Sequence, residues 1–208
     1  MKPASYVSQK TFITGLKGDC FFPRDEGANM SGDRERKTLV LDTSAFIAGF
    51  DPFSVADPMY TVPAVSRELS SNSMIFTRFN TAIESGKLQV RTPAGGFLNQ
   101  VDESSKTVGD LRSLSEADKR VLALALELKQ QGQNPVVVTD DYSIQNVADQ
   151  LGLRFVPLIT FGIRYRLNWL IYCPACHREY PADCKLKTCE ACGTELKRKP
   201  LRKTPLRK

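Results

Sequence analysis

With 208 residues the chain has room for one main hydrophobic core and a small satellite module. Apolar residues at 41%, charged residues at 25% and the absence of any apolar run near the roughly 18 residues of a bilayer span exclude a disordered tract, a coiled coil and a helical membrane protein. The formal charge of +6 is localised: residues 197–208 hold seven Lys or Arg and no acid, so without them the rest of the chain stands at −1, and such a basic segment suits a polyanionic partner.

Residues 1–37 show neither helical nor strand periodicity and read as a loosely held extension. Met30, followed by Ser31-Gly32-Asp33 and then a clean strand, is a candidate translation start. The N-terminal stretch lacks an apolar segment with a small-residue cleavage signal, which places the protein in the cytoplasm and away from membranes. From Thr38 the run Leu39-Val40-Leu41 meets Asp42, Thr43 and Ser44, a buried strand that ends at a helix start with Ser44 or Thr43 as cap. Residues 60–62 form a second strand, Pro63 suits the first turn of a helix carrying Val65, Glu68 and Leu69, helical spacing returns over 74–83, and 88–90 is a strand followed by a loop at 93–96. The strongest helix is 116–130, with Ser115 as N-cap and Asp118 closing a capping box. A β-prone run at 135–139, a helix at 142–149 and a strand at 154–158 complete an alternation of strands and helices that predicts a mostly parallel sheet covered on both faces.

Asp42 and the pair Asp140/Asp141 follow buried strands at the carboxyl edge where open parallel sheets bind ligands. Glu68 and Asp118 lie on helices able to face the same crevice. Clustered carboxylates raise one another's pKa unless a divalent cation offsets the repulsion, and oxygen ligands suit magnesium or manganese. The one histidine, His177, sits beside the cysteines, leaving metal-activated water as the nucleophile of the acidic centre, with phosphodiester charge stabilised by the same ion. Each acid has a plainer role open to it: Asp42 and Asp118 as helix caps, Glu68 on a solvated face, and one of Asp140 and Asp141 as a cap or substrate-positioning group while the other binds metal. Thr43, Ser44, Ser115 and Thr139 either steady the carboxylates or simply cap helices.

Cys173-Pro-Ala-Cys176 and Cys189-Glu-Ala-Cys192, twelve residues apart, have the spacing of a four-thiolate structural zinc site in a module too small to fold without metal. Cys184 and Cys20 fall outside that spacing and are expected to be free. Arg164, Arg166, Trp169, Tyr172, Lys185, Lys187, Lys197, Arg198 and Lys199 combine cations for phosphates with rings for unpaired bases, the chemistry of single-strand recognition. For Trp169 and Tyr172 the alternative is a packing seam between sheet domain and ribbon.

The motifs Val40-Leu41-Asp42-Thr43-Ser44, Pro63-Ala64-Val65-Ser66-Arg67-Glu68-Leu69, Leu114-Ser115-Glu116-Ala117-Asp118 and Val138-Thr139-Asp140-Asp141-Tyr142 resemble, in order, the acidic motifs of PIN-domain nucleases. Asp140 to Ala148 followed by a four-cysteine ribbon resembles the archaeal Nob-type endonucleases that mature the 3′ end of small-subunit ribosomal RNA, over residues 38–196. The resemblance implies a three-layer α/β/α domain at 38–160, a linker at 161–169, a zinc ribbon at 170–196 and a basic tail at 197–208. It also implies catalysis by Asp42, Glu68, Asp118 and Asp140 around magnesium or manganese, with Asp141 beside them and no nucleotide cofactor. The implied reaction is hydrolysis of small-subunit precursor rRNA in the pre-ribosomal small subunit, leaving 5′-phosphate and 3′-hydroxyl ends. A non-cleaving RNA-binding assembly factor and a toxin-type PIN ribonuclease are the rival readings.

Overall fold

A computed structural model describes residues 36–71 and 73–206. The proposed start at Met30, the extension before it and Cys20 lie outside the described residues.

Leu39, Val40 and Leu41 in β1 (Lys37–Leu41) and Val136, Val137 and Val138 in β4 (Asn134–Val138) are buried, and the two strands pair in parallel from Lys37 opposite Asn134 to Leu41 opposite Val138. Strands buried on both faces have no side that favours polar residues, which is why neither run alternates. Around this pair the sheet continues in parallel in the order β3-β2-β1-β4-β5, with β2 Met59–Thr61, β3 Leu88–Val90 and β5 Arg154–Val156. The helices are α1 (Thr43–Ile47), α2 (Pro63–Leu69), α3 (Ser73–Glu84), α4 (Gly95–Val108), α5 (Glu116–Gln130) and α6 (Tyr142–Gln150). The order reverses between β1 and β4, so Asp42 and Asp140/Asp141 emerge side by side at the switch point of the sheet.

Helix α4 departs from the loop expected at 93–96. It opens on Gly95-Gly96 with no side-chain cap. Its start is fixed from outside: buried Glu127 of α5 accepts from the Ala94 amide at 2.8 Å and pairs with Arg91 at 2.5 Å. Val101, Ser105 and Val108 then bury against the domain. The helix ends at Gly109, whose φ of +79° favours glycine, and a Cβ there would lie 2.8 Å from the Cβ and carbonyl oxygen of Trp169.

Trp169 belongs to a second, antiparallel sheet in the order β7-β6-β8, built from β6 (Tyr165–Tyr172), β7 (Glu179–Tyr180) and β8 (Lys197–Pro205). Residues expected as linker and basic tail thus contribute its two long strands, with Leu170 opposite Lys199 and Tyr165 opposite Pro205. This sheet is bolted to the parallel-sheet domain by a polar seam. The Asn146 side chain of α6 bonds the β6 backbone twice, accepting from Leu167 N at 2.7 Å and donating to Leu167 O at 2.8 Å, and also donates to Asp110. Asp110 is 2% exposed and pairs with Arg198 of β8 at 2.6 Å, while that guanidinium also donates to the Gly109 carbonyl and Ser113 and lies 4.5 Å over the Trp169 ring. No helix among the described residues is long and apolar enough to cross a membrane.

Candidate active site and metal centre

Asp42 terminates β1, caps α1 and is 2% exposed. Its Oδ2 accepts from Ser44 Oγ at 2.7 Å, Thr139 Oγ1 at 3.0 Å and the Ser44 amide at 3.3 Å. Its Oδ1 is buried without a hydrogen-bond partner. Burial pushes this carboxyl above the usual carboxylate range, against the donations from Ser44 and Thr139 that pull it down. The two hydroxyls also tie the strands' ends together, since Ser44 Oγ accepts from the Asp140 amide at 3.0 Å and Thr139 Oγ1 from the Asp141 amide at 3.1 Å.

Asp118 occupies the third position of α5 in a full capping box: Ser115 Oγ accepts from the Asp118 amide at 3.2 Å and Asp118 Oδ2 accepts from the Ser115 amide at 2.7 Å. Capping thus uses one oxygen and leaves the other. Burial, with the charges of Asp42 and Asp141 adding to it, holds the Asp118 carboxyl up at about 6. Glu68 is exposed on α2 and accepts from Thr43 Oγ1 at 2.5 Å.

The adjacent acids after β4 part company. Asp141 caps α6, with Oδ1 accepting from the Ser143 amide at 2.6 Å, and its charge reaches both Asp118 and Asp110. Asp140 turns toward the loop after β5: its Oδ1 accepts from the amides of Leu158, Ile159 and Thr160 and from Thr160 Oγ1, all at 2.9–3.0 Å. Partial burial works against that charge, but these donors outweigh it and hold the Asp140 carboxyl below its ordinary value. The structure therefore groups Asp42, Asp118 and Asp141 electrostatically and gives Asp140 a loop to hold. Consecutive residues leaving a strand point in different directions, which sequence spacing does not resolve.

Among the described residues the acids do not bring three ligand atoms within 4.8 Å of one another as the cysteines do, and the feature that fits a cation is the unpaired Oδ1 of Asp42. A buried carboxylate oxygen without a donor, beside a second carboxyl whose proton is hard to lose, is the arrangement that positive charge relieves.

The four cysteines form a tighter set. The ligand sulfurs of Cys173, Cys176, Cys189 and Cys192 all lie within 4.8 Å of one another, with Cys173···Cys192 at 3.4 Å and Cys176···Cys189 at 3.5 Å. Tetrahedral zinc with bonds of about 2.3 Å sets sulfurs about 3.8 Å apart, so the set fits that ion. Donation from the Tyr180 hydroxyl at 3.1 Å pulls the Cys189 thiol down to about 6, the form a metal needs. Cys184 stands outside the set and packs against the apolar cluster of Ile171, Cys173, Tyr180 and Cys189.

The candidate RNA contacts divide. Arg164, Lys185, Lys187 and Lys197 are exposed. Arg166 pairs with Asp149 at 3.1 Å, and Lys199 pairs with Glu179 at 2.8 Å and lies over the Tyr172 ring. Arg198 and Trp169 are engaged in the seam, whose centre, Asp110, the sequence did not single out.

Residues 39–128 match the family described as the PIN domain of ribonuclease. Over 163 residues, 78% of each chain, the protein is 37% identical to Endoribonuclease Nob1 of Methanocaldococcus jannaschii. It is 40% identical to Ribonuclease VapC3 of Aeropyrum pernix over 63% of this chain and 89% of that one. It is also 34% identical to the 20S-pre-rRNA D-site endonuclease nob1 of Schizosaccharomyces pombe, over 44% of this chain and 23% of the yeast protein. The chain belongs to the PIN-domain ribonucleases, and within that family it is closely related to the Nob1-type endoribonucleases, with a C-terminal cysteine cluster able to bind a metal.

Proposed function

We propose that the protein is a divalent-cation-dependent endoribonuclease that matures the 3′ end of small-subunit (16S) ribosomal RNA on the pre-ribosomal small subunit in the cytoplasm. The observation that carries the reading is the buried, unpartnered Oδ1 of Asp42 at the switch point of the sheet. Asp42, through Oδ1, with Asp118, Glu68 and Asp140, and Asp141 as an additional contributor, would hold magnesium or manganese. Asp140 also anchors the loop after β5, chiefly through Oδ1. When bound, the cation supplies charge stabilisation for the phosphodiester and makes hydroxide accessible near neutral pH. Ser44 and Thr139 fix the Asp42 carboxylate through Oδ2, so Oδ1 keeps its aim. Glu68, steadied by Thr43, faces solvent where a water can give it a proton. Exposed Arg164, Lys185, Lys187 and Lys197 draw in the RNA backbone, and a structural zinc ion in the Cys173/Cys176/Cys189/Cys192 set keeps the ribbon folded.

The names of the Nob1-type relatives, one of them a pre-rRNA endonuclease, support this substrate; similarity to VapC3 favours a second reading, a ribonuclease with a different RNA target. The test incubates the zinc-loaded protein with manganese and a short RNA spanning the precursor 3′ junction, beside Asp42→Asn. A single cut by wild type alone is expected. Scattered cutting supports the second reading, and intact RNA from both proteins overturns the nuclease assignment in favour of a non-cleaving assembly factor.

A further inference from the structure

The segment between β5 and β6, residues 157–164, is short, held at several backbone amides and tipped with one exposed ring. Asp140 takes the amides of Leu158, Ile159 and Thr160, Thr160 Oγ1 takes that of Gly162 at 3.4 Å, and buried Gln145 takes that of Ile163 at 2.9 Å while its own Nε2 bonds the Thr139 carbonyl at 3.0 Å. Gly162, at φ +66°, turns the chain where a Cβ would meet Pro157 and Gln145. A backbone restrained at five amides nevertheless presents Phe161 at 98% exposure and Ile159 at 72%. Phe161 and Ile159 thus give the loop a fixed apolar tip that the fold itself does not use.

We propose that Phe161 is a stacking platform for an unpaired RNA base next to the scissile phosphate, a substrate-positioning residue for the reaction proposed above, on which this inference rests. Asp140, which anchors the loop, directly follows β4, so the loop is tied to the carboxyl edge of the sheet from which Asp42 also emerges. Tyr165, four residues on at the start of β6, is half exposed. The charge of the surroundings selects nucleic acid: Arg164 is exposed, and Arg202 and Lys203, opposite Asn168 and Leu167 on β8, are exposed and make no ion pair among the described residues. Rings interleaved with unpaired cations match a strand whose bases offer π-faces and whose phosphates carry charge. The loop is pre-ordered, so stacking costs little further chain entropy.

Because Phe161 touches almost nothing in the protein, its substitution leaves the fold intact. Binding of a labelled single-stranded junction RNA would be measured in the Asp42→Asn background with Phe161 intact, Phe161→Ala, Phe161→Leu and Phe161→Trp, at two salt concentrations, beside manganese-dependent cleavage by the corresponding proteins with Asp42 restored. Ala and Leu weaken binding on the order of tenfold at both salts, the range of one lost base stack, and Trp restores it with quenching of its emission on RNA addition. Unchanged affinity in Phe161→Ala overturns the proposal. So does full affinity in Phe161→Leu, which would indicate a purely apolar contact such as protein docking, and so does absence of RNA binding by the protein with Phe161 intact. Binding that depends on Phe161 without any cleavage leaves the stacking role standing and removes the nuclease assignment. Equal cleavage by wild type and Phe161→Ala does the reverse.

Discussion

Arg198→Ala tests the seam between the two sheets. Asp110 is 2% exposed and its carboxyl is already raised by burial, with Asn146 and Arg198 the groups that pull it back. Removing one partner of a fully buried pair costs about 3–5 kcal/mol, and since Arg198 is about one-third exposed and water reaches it, the cost here falls to about 2–3 kcal/mol. Loss of the guanidinium over Trp169 adds about 0.5–1 kcal/mol. For a domain of this size the total corresponds to a fall in Tm of about 5–12 °C. Trp169 is the sole tryptophan and lies under the guanidinium, so its fluorescence reports melting of the seam itself. A raised carboxyl pKa favours the folded state at low pH and withdraws that advantage as pH rises, so the deficit is larger at pH 7.5 than at 4.5. Asp110→Asn placed on Arg198→Ala removes the stranded charge and recovers part of the loss. An Arg198→Ala protein that melts within about 1 °C of wild type at pH 7.5 would refute the reasoning.

Asp42→Asn without divalent cations raises stability by about 0.5–2 kcal/mol, because it removes a charge that burial disfavours more than its hydrogen bonds offset; thermal scans with and without manganese should show the cation-induced rise in wild type alone. Asp118, held up at about 6, must release its proton to bind a cation, so manganese affinity is flat above about pH 7 and falls below 6, and calorimetry in buffers of different ionisation enthalpy should detect proton release at pH 5.5. By the same sign rule, Asp118 favours folding of the cation-free protein as pH drops toward 4. Cys189→Ser, or a strong chelator, unfolds the ribbon and shifts the Trp169 signal, since β6 runs directly into Cys173; an unchanged Trp169 melt would show the ribbon to be independent.

The strands that carry the acids were readable because burial on both faces leaves apolar runs without alternation, and α5 because its periodicity and capping box agree. The parts that escaped depend on partners far along the chain. Helix α4 starts with two glycines and is fixed by Glu127, 33 residues beyond Ala94. Asp110 is an ordinary turn residue until Arg198, 88 positions later, pairs with it. Strand β8, Lys-Arg-Lys-Pro in its first half, has the composition of a solvated tail; its pairing with β6 and the ion pair of Arg198 with buried Asp110 make it a strand. At the site, the approach of Asp118 to Asp42 follows from the topology, but the split roles of Asp140 and Asp141 rest on amides of a loop that follows the next strand.

The seam also orders events during synthesis. A ribosome completes β1 to β5 and their helices well before it adds Arg198, so in the newly made domain Asp110 has the Asn146 amide but still lacks its cationic partner. Only when β8 has left the exit tunnel and closed on β6 is that charge matched. The charge balance of the first-made domain is therefore completed only by the last strand of the chain.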